Sequence, residues 1–156
     1  MKSIQKANST KFLNLFAIIV LFLATTSWTR AADDEVITKM TVAKIEKIMK
    51  SFTDVKNFKE LENNLYVFEI LGMKVVLHNG LESLQLLSFH SERVTISRLN
   101  EWNRERKFTK AYLDANDSPC LDHAIELTGG VTEKNVKEWI STYVAHLKEF
   151  KKHLAE

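Results

Sequence analysis

The stretch Leu99-Asn100-Glu101-Trp102-Asn103, then Phe108-Thr109-Lys110-Ala111-Tyr112-Leu113-Asp114, then Gly129-Gly130-Val131-Thr132, decides how the chain reads. On an ideal helix of 3.6 residues per turn, Ile96, Leu99, Asn100 and Asn103 fall on one stripe. Two amides thus share a face with two aliphatic side chains. A buried carboxamide needs partners for two donors and an acceptor. The nearest supply is backbone, at the helix end and in the segment after Phe108. We read the pair as a polar clamp between helix and sheet. The competing reading is a substrate site, but no acid, base or nucleophile accompanies the amides at a useful spacing.

Working outward, Val42, Ile45, Ile48, Met49 and Phe52 recur at helical spacing behind Thr41, a suitable N-cap. Thr53 to Asn64 is polar and assigns to no element. Leu65 to Ile70, Met73 to Leu77 and Leu84 to Phe89 are short β-forming runs. Gly72 and Asn79-Gly80 punctuate them, as in an antiparallel meander. Both faces of these strands carry apolar residues, so part of the sheet is expected to be covered on both sides. Ser91 is placed to cap the central helix, with Glu92 at its positive end. Lys107 to Leu113 forms a fourth strand, and Asp114 to Pro119 a turn. Leu121, His123, Ile125 and Leu127 alternate with polar positions in a fifth. Thr132 opens the last helix, whose stripe Val136, Trp139, Ile140, Tyr143, Val144, Leu147, Phe150 and Leu154 runs for more than five turns. The expected order is α-β-β-β-α-β-β-α. The class is α+β, an antiparallel sheet of about five strands with three helices.

The organising stretch resembles the YbjN-domain family. That pattern is a helix ending in Asn-x-Trp-Asn, a strand Phe-x-Lys/Arg-Ala-Tyr-Leu-Asp, and Gly-Gly-Val-Thr before the last helix. It stands here as Asn100, Trp102 and Asn103, then Phe108, Lys110, Tyr112 and Asp114, then Gly129 and Gly130. The likeness extends more loosely from about Val36 to the C-terminus. It implies a fold like that of the type III secretion chaperones and a role described as sensory transduction regulation, without established chemistry. Chaperones of similar fold pair into dimers, and the resemblance implies the same habit here.

Residues 1–31 have the order of a secretory signal peptide. Lys2, Lys6 and Lys11 precede the apolar run Phe12 to Ala24, and small residues follow, with cleavage expected near Ala31. An uncleaved anchor would be the one route to the membrane. It is short and interrupted by Asn14, Thr25, Thr26 and Ser27. Residues 32–156 then form one YbjN-like domain, periplasmic or secreted. Of 22 basic residues, four (Lys2, Lys6, Lys11 and Arg30) lie before residue 32, and none of the 20 acidic ones does. The mature part carries a net −2, which removes a general electrostatic case for nucleic acid. The single Cys120 cannot form an internal disulfide and reads as buried.

The search for chemistry yields no cofactor, metal or catalytic set. His146 and His153 are seven apart on a helix, too far to share an ion, and His78 with His90 makes only two ligands. Asp114, Asn116 and Asp117 open like a calcium loop. Pro119 then stands where the glycine belongs, and Ile125 where the bidentate glutamate belongs. Cys120 and His123 point to opposite faces of a strand. Gly129-Gly130 precedes a helix without any nucleotide-loop pattern. Trp102 and Tyr112 could line a groove, but read more simply as core or rim aromatics.

The expectation is a non-enzymatic exported module that binds a protein partner or regulates, as a homodimer, with no nucleic-acid role. The alternative is a small-ligand binder or small enzyme using the Asn100/Trp102/Asn103 region.

Overall fold

The computed structural model describes residues 35–62 and 64–155. The expected signal segment and cleavage position lie outside them. Contacts divide the chain after Glu35, and the unit beginning at Val36 is the one described below.

The elements are helix α1 (Val42–Lys50), strands β1 (Lys56–Glu60), β2 (Leu65–Ile70), β3 (Met73–Asn79) and β4 (Ser83–Phe89), helix α2 (Ile96–Glu105), strands β5 (Lys110–Leu113) and β6 (Pro119–Glu126), and helix α3 (Glu133–Ala155). The class is α+β as expected, but the sheet has six antiparallel strands, ordered β1-β2-β3-β4-β6-β5. The additional strand is β1, in the segment that sequence left unassigned. Its pairing skips between Lys56 and Lys59, and Asn57 sits at φ 55°. That bulge destroys the period-two pattern, and only Phe58 turns inward, stacking on Tyr66.

Thr41 caps α1 as expected, its Oγ1 accepting from the Lys44 N–H at 3.3 Å. The central helix starts later than Ser91. Thr95 is the cap, accepting from the Arg98 N–H, and the residues before it are irregular. The fourth expected strand is also shorter and starts at Lys110. Val36-Ile37 contributes a single bridge, Ile37 to Val131. Pro119 opens β6, where a missing donor costs least.

One core unites the inward side of the sheet with α1, α2 and α3. Tyr66, Phe68, Val75, Leu77, Leu84, Leu86 and Leu121 meet Ile45, Ile48 and Met49 of α1 and the apolar stripe of α3. That stripe is as expected, with Val144 only half-buried. Each large side chain so buried contributes roughly 1.5–3 kcal/mol before entropy is counted. Lys47 of α1 and Lys137 both bind Glu133, at 3.0 and 2.7 Å, and lower its carboxyl pKa by hydrogen bonding. Asn79 ties the N-terminal segment to the sheet. Its Nδ2 donates to the Met40 carbonyl, and its Oδ1 accepts from the Leu81 N–H.

Cover on the outward face is partial: Val67 and Cys120 are buried, Val76 and Leu87 half-buried and Phe89 exposed, with no helix of the described residues over them. All five point away from the helices, and the buried Val67 and Cys120 stand outside the core cluster. Apolar side chains on both faces therefore do not mean a second layer of helices among the described residues.

Candidate functional site

Helix α2 is short, and its buried residues are Leu99 and Trp102. Ile96 is 66 % exposed and Asn100 is exposed, so the stripe read from sequence is rotated toward solvent. Trp102 is the anchor. Its ring meets Phe150 edge-on at 5.0 Å and lies 6.0 Å from His146 and 5.6 Å from His153, all on α3. Its Nε1 donates to Thr109 Oγ1 at 3.3 Å, and the same hydroxyl meets His146 Nδ1 at 3.1 Å. Arg106 lies over the indole at 5.3 Å while its Nε donates to Glu149 at 2.9 Å. Arg98 Nε donates to the His153 carbonyl, and His153 Nε2 meets the Arg98 carbonyl.

Asn103 makes the helix-to-sheet clamp alone. It accepts from the Ala111 N–H at 2.8 Å and donates to the Ala111 carbonyl at 2.9 Å. Both backbone groups of Ala111 point away from β6, so the carboxamide stands where a seventh strand would pair. An unpaired sheet edge is a template for association. Asn103 closes this one at its centre.

The other motif residues spread over different tasks. Phe108 is 74 % exposed at φ 75°, in the bend between α2 and β5. Lys110 and Tyr112 face outward on β5, opposite Asp122 and Cys120. The Tyr112 hydroxyl pKa is raised by partial burial and by Asp122. Asp114 Oδ1 accepts from the Asn116 and Ser118 N–H groups at 2.8 Å, which builds the turn into β6. Gly130 has φ 82°, and a Cβ there would meet Val36 Cγ1 at 2.5 Å. Gly129 leads into it, and Thr132 exchanges hydrogen bonds with Asn135 at the start of α3. The structure thus brings Trp102, Asn103 and the Thr109–Ala111 backbone together. It places Gly129 and Gly130 at the opposite end of α3.

A second polar group lies between sheet and α3, and sequence reasoning passed over it as a site. His123 on β6 packs against Trp139 at 5.5 Å and Tyr143 at 6.4 Å. Its Nδ1 and the Trp139 Nε1 are buried without partners. Burial, with a smaller push from His146, lowers the imidazole pKa to about 4. His90, held by Ser88 at 3.0 Å, and His146 are also lowered by burial. These are neutral imidazoles in a core. The visible signal for His123 was a histidine on the apolar side of an alternating strand.

Among the described residues, no three of His, Cys, Asp and Glu converge to hold a metal. Two surface hollows, of about 280 and 610 Å³, lie by Phe52 and Ser141 and by Phe58 and Lys74. Neither is lined by Asn100 or Asn103. Burial raises the Cys120 thiol to about 11, and it stays protonated at neutral pH. No helix of the described residues is long and apolar enough to cross a membrane.

No curated protein matches the chain. A family model does, over residues 60–156, a span from the end of β1 through α3 that contains every motif residue above. The chain belongs to the YbjN family, described as "putative bacterial sensory transduction regulator".

Proposed function

We propose that the chain is a non-enzymatic regulatory module of the cell envelope, periplasmic or secreted, that acts by binding protein and assembles as a homodimer. The family description supports regulation in the broad sense. The order of the first 31 residues, basic then apolar then small, supports export. The motif supports a binding role over a catalytic one. Trp102 and Asn103 are committed to holding α2, β5 and α3 together, which leaves them nothing to offer a substrate.

The observation that carries the reading is the outward sheet face. The half-buried Val76 and Leu87 and the exposed Phe89 point outward on β3 and β4 with no helix over them among the described residues. Light scattering of the purified chain at several concentrations tests assembly. The expected result is a mass rising toward twice that of one chain. A monomer throughout would remove the homodimer.

A further inference from the structure

We propose that the bend between α2 and β5 is a membrane-contact tip. Phe108 enters the interfacial zone of an anionic lipid bilayer, and Arg104, Lys107 and Lys110 meet its headgroups. This is independent of the homodimer reading. It is a second route to the bilayer, separate from the N-terminal apolar run Phe12 to Ala24.

Phe108 is the most exposed large apolar side chain among the described residues, at 74 %. Its backbone sits at φ 75°, in the left-handed region, which a bulky residue adopts only under strain. Glycine or asparagine would make the same bend more easily. The ring in water is a second unfavourable term, because its apolar surface stays hydrated. Packing among the described residues offsets neither. An apolar medium outside the domain offsets the second.

The tip stands on a fixed base. On its C-terminal side, Asn103 binds both backbone groups of Ala111, and the buried Thr109 takes the Trp102 indole N–H and meets His146. On its N-terminal side, Arg106 lies over the Trp102 ring and donates to Glu149. Lys107 and Phe108 therefore project from a preorganised support.

Charge selects the partner. Residues 104–110, Arg-Glu-Arg-Lys-Phe-Thr-Lys, hold four cations and one anion. Arg106 takes up that anion, Glu105, at 3.7 Å and Glu149 at 2.9 Å. Arg104, Lys107 and Lys110 are exposed and form no ion pair among the described residues. Asp122, opposite Lys110, is half-buried, and Asp114 is occupied by the N–H groups of its own turn. On α3, the exposed Lys148 and Lys152 lie on either side of Glu149 in sequence and extend the basic surface. An exposed aromatic ring among unpaired cations is the composition of an interfacial anchor. The ring settles at headgroup level, and each Lys or Arg is drawn to anionic lipid. An acidic protein would satisfy the cations too, but it would have to bring a pocket for the ring. A bilayer needs no shaped counterpart.

A dye at the tip tests this in the full chain. Phe108→Cys is labelled with the polarity-sensitive fluorophore nitrobenzoxadiazole, while Cys120, being buried, stays unlabelled. The dye is expected to brighten on vesicles of phosphatidylcholine with about 30 % phosphatidylglycerol, and not on phosphatidylcholine alone. The response should fade as salt rises from about 0.1 to about 0.5 M. Adding Lys107→Glu and Lys110→Glu is expected to raise the lipid needed for half the response at least about tenfold. Unlabelled Phe108→Asn is expected to melt at or above the temperature of the unaltered chain, since it relieves the bend. A clearly lower melt would show that the ring packs inward and would overturn the tip. A chain that floats with anionic vesicles while its dye stays in water would be attached through residues 12–24 alone, which also overturns the proposal. An unchanged lipid requirement in the glutamate variant would do the same. A dye that responds to polyglutamate and not to vesicles would overturn the lipid and assign the tip to an acidic protein.

Discussion

Asn103 holds Ala111 by both of its backbone groups, accepting from the N–H at 2.8 Å and donating to the carbonyl at 2.9 Å. One side chain thereby fixes the angle of α2 to the sheet and closes the β5 edge. Asn100 and Asn103 are both exposed on α2, so what separates them is this pair of hydrogen bonds.

Asn103→Ala is expected to lower stability by about 1–3 kcal/mol, the cost of leaving a backbone donor and acceptor without their partner. Asn103→Asp keeps the acceptor and loses the donor, and should fall between. Asn100→Ala should stay within about 0.5 kcal/mol, as for a surface change away from any special feature. Urea unfolding of the three variants checks the order. Equal losses at Asn100 and Asn103 would contradict the division of labour.

Much of the fold was legible because burial follows period. The α3 stripe and the β6 alternation could be read directly, and Thr41 and Thr132 announced their helices by side-chain chemistry. Three features could not be read, each for a physical reason. Strand β1 is mostly exposed and carries a bulge, so neither hydrophobicity nor alternation marks it. The α2 face was placed one step away, because Trp102 rather than Asn100 turns inward and tertiary packing against Phe150 and His146 decides that. The outward sheet face has no helix over it among the described residues, which its apolar side chains alone do not reveal.

Trp102 joins three elements, so its truncation should be the costliest at the motif. Trp102→Ala is expected to destabilise by roughly 3–5 kcal/mol through the cavity it leaves against α3. Trp102→Phe keeps most of the packing and loses the hydrogen bond to Thr109, and should cost clearly less. Circular-dichroism melts compare them. If the phenylalanine variant is as unstable as the alanine one, the indole N–H and not its bulk governs the joint.

Cys120 is fully buried, and burial raises its thiol to about 11. Alkylation needs the thiolate, which is both scarce and covered. Iodoacetamide at pH 7.5 is expected to label the native chain slowly and the urea-unfolded chain quickly. A non-reducing gel of the oxidised chain should show no disulfide-linked dimer. Rapid native labelling would show that the outward face opens around β6.

Stability should fall on the acid side of neutrality, and His123 should be a main cause. Its folded pKa of about 4 lies below the ordinary histidine value of 6.5. Between those values the unfolded chain binds the proton and the folded chain does not. Stability therefore rises with pH through this window, is fully present above about 6.5, and is progressively lost down to about 4. His90 and His146 are shifted the same way by burial and add the same sign. His123→Phe removes the titrating group and keeps a ring against Trp139 and Tyr143. It also deletes the unpartnered Nδ1, so it should be near neutral at pH 7.5 and flatten the slope below 6.5. Melting temperatures of both proteins from pH 4.5 to 8 decide the point. An unchanged acid slope in the variant would move the proton uptake to His90 and His146.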